Sequence, residues 1–131
     1  VQPISTPHGT ISASSHQGGN PPHHSVDGDS NTRWAASNGT VPQWIQLDFG
    51  KQRQISGVQI RFKNRTRIHY TISISKDARE WKQVQESRKA TQIQDDKVTF
   101  SGNARYLRVT INEVESGWAT IEEWKPILPA L

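Results

Sequence analysis

The chain has 131 residues, of which 32% are apolar, with a formal net charge of +4 and no cysteine. That length suits one domain with a real core rather than two, and no run approaches the ~18 apolar residues of a membrane-spanning helix. The absence of cysteine excludes a disulfide framework, a thiol nucleophile and a cysteine zinc site. The positive charge points to an anionic partner such as an acidic polysaccharide; with no basic tail or low-complexity arm, nucleic acid is disfavoured.

Residues 1–25 are rich in Ser, Gly, Pro and His. They read as an extended entry with a short strand at Thr10 to Ala13 and a long loop at His16 to His24, where Gly18-Gly19 and Pro21-Pro22 argue against a helix. Residues 26–34 read VDGDSNTRW. One reading is a tight turn: Asp and Asn side chains bond their own backbone and Gly28 supplies a positive φ. The other is a loop for a hard cation, which takes about six to eight oxygen ligands from carboxylates, carbonyls and hydroxyls. The spacing of the acids is not that of an EF-hand. His23-His24 is a metal pair without a third ligand, and packing explains it better.

From residue 43 onward the chain alternates with a period of two. Residues 43–49 carry Ile45 and Leu47 between polar neighbours; in 55–62, Val58, Ile60 and Phe62 share one face and Gln59 and Arg61 the other. In 68–75, Ile68, Tyr70, Ile72 and Ile74 oppose His69, Thr71, Ser73 and Ser75. Turns are expected at Gly50-Lys51 and at residues 76–80, and further strands at 81–84, 97–100, 106–111 and 122–128, the last at an edge because of Pro126. Short half-buried strands without a helical period predict an all-β antiparallel sandwich or barrel with no internal repeat or linker.

Taken in order, VDGDSNTRW, WIQLDFGK, VQI, the YTISIS–KDAREW run, ARYLRVTI and WATIEE resemble the discoidin domains, the C-type domains of coagulation factors V and VIII, and most of all the bacterial family 32 carbohydrate-binding modules. The resemblance covers residues 10–127. It implies an eight-stranded antiparallel jelly-roll sandwich, with ligand loops at one end and a structural calcium where the 25–32 loop meets the last strand. The calcium ligands it implies are the Ser25 carbonyl, the Asp27 carboxylate, the Asp29 carbonyl, Thr32 through carbonyl and hydroxyl, the Glu122 carbonyl and the Glu123 carboxylate. It also implies that Trp34, Trp44 and Trp81 are core aromatics.

Trp118 differs, because it sits in the polar run Glu115-Ser116-Gly117-Trp118 where relatives place a sugar-stacking aromatic. A flat ring there can cover the C–H face of a pyranose, whereas the bland reading is a cap on the sandwich end. The basic cluster Arg61, Lys63, Asn64, Arg65 and Arg67 offers forked donors for hydroxyls and carboxylates, or is a solvated turn. His16, Arg33 and Asn38 lie in neighbouring loops that the family also uses. Galactose-binding relatives carry a His after the loop tryptophan and a Glu after the Ser-Ser pair; this chain has Ala35 and His16, so plain galactose is disfavoured.

The whole chain, 1–131, is therefore expected to be one non-catalytic carbohydrate-binding domain. We expect a monomer excised from a larger, secreted or cell-surface bacterial protein, since the first residue is Val1 and no signal segment is legible. It would target an attached polysaccharide-degrading enzyme to a polysaccharide, with an acidic one carrying uronate groups the preferred reading. The alternative is a discoidin-like adhesion module for a protein or membrane surface; polar end loops support membrane insertion poorly. No nucleophile motif or facing carboxylate pair suggests an enzyme. Asn38-Gly39-Thr40 and Asn64-Arg65-Thr66 fit the N-glycosylation pattern.

Overall fold

The period-two runs become strands that fold back on one another in a computed structural model. It describes residues 4–6, 8–29, 31–115 and 117–129, and the side chains of these except at 4, 63–66 and 86–93. The elements are β1 (Ile4–Thr6), β2 (Gly9–Ala13), a 3-10 turn (Pro22–Ser25), β3 (Trp34–Ala35), β4 (Gln43–Ser75), β5 (Lys82–Val114), β6 (Thr120–Ile121) and β7 (Glu123–Ile127). The two long ribbons, β4 and β5, each contribute several antiparallel segments. In a broad sheet, β2 pairs with residues 43–48, these with 106–111, these with 68–75, and these with 82–90; β1 adds to the free side of β2. In a narrow sheet, residues 57–61 lie between 95–99 and β7. These nine segments, eight sandwich strands with β1 added at the edge, make an antiparallel jelly-roll β-sandwich.

The inward residues of both sheets form one core. Ile45, Leu47, Leu107, Val109, Ile111 and Ile72 come from the broad sheet, and Val58, Ile60, Val98 and Trp124 from the narrow one. Fully buried Trp34, Trp124, Tyr70 and Phe62 are the largest contributors, each stabilising the fold by about 1.5–3 kcal/mol. Their polar atoms are satisfied: Trp34 Nε1 donates to the Ser15 carbonyl at 2.9 Å, Trp124 Nε1 to Ser25 Oγ at 3.0 Å, and the Tyr70 hydroxyl to Asp96 Oδ2 at 2.5 Å.

Several expectations need correction. Trp44 and Trp81 are not core aromatics. Ile45 and Leu47 point inward, so parity sends Trp44 outward, and both rings are part-exposed against the guanidinium of Arg108. The 16–24 loop ends in a 3-10 turn, with Pro22 in its first turn, where a missing N–H costs nothing. At Gly50-Lys51 the chain turns as expected, but the pairing runs on through it as a register shift between Asp48 and Arg53 within β4, with Gly50 at φ 81°. Pro126 does lie on an edge, since β7 pairs on one side only.

The antiparallel register sorts the turns. Those at 14–20, 36–42, 62–67 and 115–119 gather at one end of the sandwich, and those at 49–53, 76–81 and 101–105 at the other. In the middle of the narrow sheet, Gly57 has φ 155°, and a Cβ there would lie 2.4 Å from the Val98 carbonyl oxygen. Gly57→Ala is therefore expected to destabilise the protein by more than about 2 kcal/mol, from strain and overpacking together; a melting temperature within 2 °C or so of the native value would contradict this packing.

Candidate functional site

Trp118 and Val41 are the exposed large apolar side chains among the described residues, at 48% and 39%. Both stand at the same end. The Ala36 N–H donates to the Ala119 carbonyl at 2.9 Å, which lays the 36–42 loop beside the Trp118 loop. The sequence reading missed Val41; an apolar residue closing a Ser-Asn-Gly-Thr turn was the available signal.

The neighbouring loops are knitted together by side chains. Ser14 and Ser15 hydroxyls donate to Gln43 Oε1 at 2.6 and 2.8 Å, and the Ser37 N–H donates to Ser15 Oγ at 3.1 Å. The Gln17 N–H donates to the Ala35 carbonyl, and the Ala35 N–H to Asn20. This fixes the loop that carries His16, whose Nδ1 is 2.9 Å from the Gln17 carbonyl oxygen. Asn38 shapes its own turn: its Oδ1 accepts from the Thr40 N–H and hydroxyl at 2.9 and 2.5 Å. Arg33 is half-buried, and its Nε has no hydrogen-bond partner among the described residues.

The basic cluster divides. Arg67 comes to the Trp118 loop: the Glu115 N–H donates to the Arg67 carbonyl at 3.1 Å, and Arg67 Nε lies 3.7 Å from Glu115 Oε2. With Ile68, His69, Glu113 and Val114 these two residues line a cleft of about 300 Å³. Arg61 is committed elsewhere, on the narrow sheet, where Nε donates to Glu122 Oε1 at 3.0 Å and Nη1 lies 3.4 Å from the Asp95 carboxylate. The side chains of Lys63, Asn64 and Arg65 lie outside the described residues.

The 25–32 loop closes on itself and on β7. Asp27 Oδ1 accepts the Asp29 N–H at 2.9 Å and Oδ2 accepts the Thr32 hydroxyl at 2.6 Å. Thr32 Oγ1 is also within 3.2 Å of the His24 carbonyl and 3.1 Å of the Asp29 carbonyl. The Gly28 N–H donates to Glu123 Oε1 at 3.1 Å, joining residues 95 apart in the chain. Ser25 is buried, its hydroxyl bonding the Pro22 carbonyl and Trp124. The Glu122 carboxylate goes to Arg61.

Glu123 is pushed up to about 7 by burial first, then by the charges of Asp27, Glu122 and Asp29, against the opposing pull of the Gly28 N–H. Negative charge is thus concentrated here, and among the described residues only Glu122 of these carboxylates has a basic partner, Arg61. Oxygen donors from Asp27, Asp29, Thr32 and Glu123 suit a hard cation. Among the described residues no three His, Cys, Asp or Glu side chains gather as a metal cluster, so backbone carbonyls would have to complete the set.

Comparison with known proteins agrees with this fold. The family model of the F5/8 type C domain matches residues 10–124. No curated protein matches the chain. Among solved structures, a pectin-binding carbohydrate-binding module is 25% identical, with a TM-score of 0.81 over 98% of this chain and 95% of the other. The family 32 module of AlyQ in complex with 4,5-unsaturated mannuronic acid is 29% identical, with a TM-score of 0.80 over 89% and 92%. A chitosan-binding module in complex with chitotriose, from a chitosanase/glucanase of Paenibacillus sp. IK-5, is 26% identical, with a TM-score of 0.79 over 92% and 96%.

The raised Glu123 value has a definite sign. Its ordinary value is 4.5, so between there and about 7 the folded form holds the proton more tightly than the unfolded chain. The stability contributed by this group is full below the ordinary value and is lost as pH rises through the folded one. In chelator, the melting temperature should therefore fall between about pH 5 and pH 7.5 more steeply for the native chain than for Glu123→Gln. Equal slopes in the two proteins would contradict the assignment.

Proposed function

The chain belongs to the F5/8 type C domain family, and on that premise we propose that it is a non-catalytic module that binds a polysaccharide at the Trp118 end of the sandwich. The observation that carries this reading is the exposed indole of Trp118, held on a loop that the Ala36–Ala119 hydrogen bond fixes against the 36–42 turn. A pyranose stacked on that ring would bury on the order of 80 Å² of apolar surface, worth about 2 kcal/mol. Its hydroxyls would meet Asn38, His16, Arg33 and the 62–67 turn.

The sugar is best read as acidic. The net charge of +4 favours an anionic chain, and two of the similar modules are described with pectin and with an unsaturated mannuronic acid. Arg67 shares its charge with Glu115, so the preference rests on how far a uronate can displace that pairing. The chitosan-binding relative comes from a chitosanase/glucanase, which supports the companion reading that this module holds an attached polysaccharide-degrading enzyme on its substrate, outside the cell or at its surface. A structural calcium ion at Asp27, Asp29, Thr32 and Glu123, completed by carbonyls of the Ser25 and Glu122 region, would neutralise the acidic loop and tie it to β7. Its role is to hold the fold together, with no part in chemistry.

Two experiments test these readings. Affinity electrophoresis through polygalacturonate and chitosan gels should retard the native chain in the former more than the latter, with the charge-dependent part weakening as salt rises. Trp118→Ala should bind about thirtyfold more weakly, the equivalent of ~2 kcal/mol; undiminished binding would remove the site. Separately, calcium should raise the melting temperature of the native chain, and Asp27→Ala should remove that dependence. A native melting temperature indifferent to chelator would overturn the ion.

A further inference from the structure

The outward face of the broad sheet carries an arrangement that neither the core nor the Trp118 end uses. Register sets Trp44 beside Thr110, Gln46 beside Arg108 and Asp48 beside Tyr106. The Arg108 guanidinium lies between two indoles, its Cζ 4.1 Å from the ring centroid of Trp44 and 4.1 Å from that of Trp81. Its Nε and Nη2 both donate to Gln46 Oε1, at 3.0 and 2.7 Å, which fixes the plane of the fork. Further down the sheet, Tyr106 stands edge-on to Trp81 at 6.3 Å, and Arg105 lies 5.1 Å over Tyr106 while bonding both oxygens of Asp48. Beside Trp81 opens a cleft of about 350 Å³, whose charged walls are mixed, Lys76 and Lys82 with Asp77 and Glu80.

Packing explains only part of this. Trp44, Trp81, Tyr106 and Arg108 all remain part-exposed. Arg105 has Asp48 as counter-charge, whereas Arg108 has no carboxylate partner among the described residues. The clamp removes the rotamer freedom of Arg108 before any ligand arrives, so an incoming anion does not have to order it. Nη1 makes none of the described hydrogen bonds, which leaves a charged donor for a carboxylate. The flanking indoles offer apolar surface to sugar C–H groups. The upper edge of the stack is continuous with the loop site: the Ser14 N–H, in the loop that carries His16, donates to the Trp44 carbonyl at 2.9 Å. From Trp44 to Asp48 the track follows about 13 Å of strand.

We propose that this face is a second binding surface, which takes a stretch of acidic polysaccharide with a uronate carboxylate on Arg108 between Trp44 and Trp81. A long chain could then leave the Trp118 end and continue down the sheet. The ligand class is that of the Trp118 reading, but the residues are not, so either surface can fail alone.

The test follows indole N–H resonances of the intact protein titrated with polygalacturonate, with single-stranded oligothymidylate as the rival polyanion. The signals of Trp44 and Trp81 should move with polygalacturonate, and should still move in Trp118→Ala. Arg108→Gln should abolish those two shifts, leave that of Trp118, and weaken polymer affinity about threefold to fivefold at low salt. Movement of Trp44 and Trp81 with Trp118 silent would support the sheet face and sink the loop site. The proposal is overturned if both signals stay fixed at saturating polygalacturonate in the native chain, if only oligothymidylate moves them, or if Arg108→Gln, folded by its melting curve, binds the polymer as the native chain does.

Discussion

Residues 106–111 are hydrogen-bonded on both sides, to 43–48 and to 68–75. That two-sided pairing is the constraint on which the other features rest. A one-residue slip would turn Leu107, Val109 and Ile111 out to water and bury Tyr106 and Arg108. Burial of three aliphatic side chains opposes such a slip strongly, so the register is fixed. With it are fixed the inward faces of both neighbouring strands, the outward stack on Arg108, and the end of the sandwich to which each turn is delivered.

Charge in this molecule is local, and the net value hides its distribution. Arg61, Arg67 and Arg105 each have a carboxylate close by, respectively Glu122 with Asp95, Glu115 and Asp48. Asp27, Asp29 and Glu123 have no basic side chain paired to them among the described residues, and burial first, then the neighbouring carboxylates, raises the proton affinity of Glu123. A basic chain thus carries an acidic corner, and at Arg108 a guanidinium without a carboxylate partner among the described residues. On the readings proposed above, these two places respond to opposite ions: a cation would bind the corner and an anion the sheet face, so calcium and a polyuronate would not compete for the same side chains.

The period-two strands were legible because a half-buried strand writes its burial directly into alternate residues. Val58, Ile60 and Phe62, and Ile68, Tyr70, Ile72 and Ile74, are buried as that pattern requires. Trp44 and Trp81 were misread because the resemblance places core aromatics at their positions; the parity of Ile45 and Leu47, one step from Trp44, was the better guide. Pairings such as Trp34 with Ile121 and Ala35 with Thr120 leave no trace in periodicity, because two residues are too few to alternate. The same holds for the partners of Arg61 and for the closing of the 25–32 loop on Glu123, where contacts span 34 to 95 residues of sequence. The acidic loop was marked by its own crowded oxygens, while the likeness to discoidin domains directed attention to Trp118 and to Glu122 and Glu123 as that loop's partners.

The five tryptophans occupy three distinct environments. Trp34 and Trp124 are sealed in the core with their indole nitrogens bonded, Trp44 and Trp81 sandwich a cation, and Trp118 stands in water. Intrinsic emission is therefore a composite. A hydrated indole emits to the red of a buried one and is open to collisional quenchers, while the core pair is shielded until the sandwich opens. The molecule carries its own optical label at one end, readable without any added dye, and a neutral collisional quencher would dim that label before the core pair.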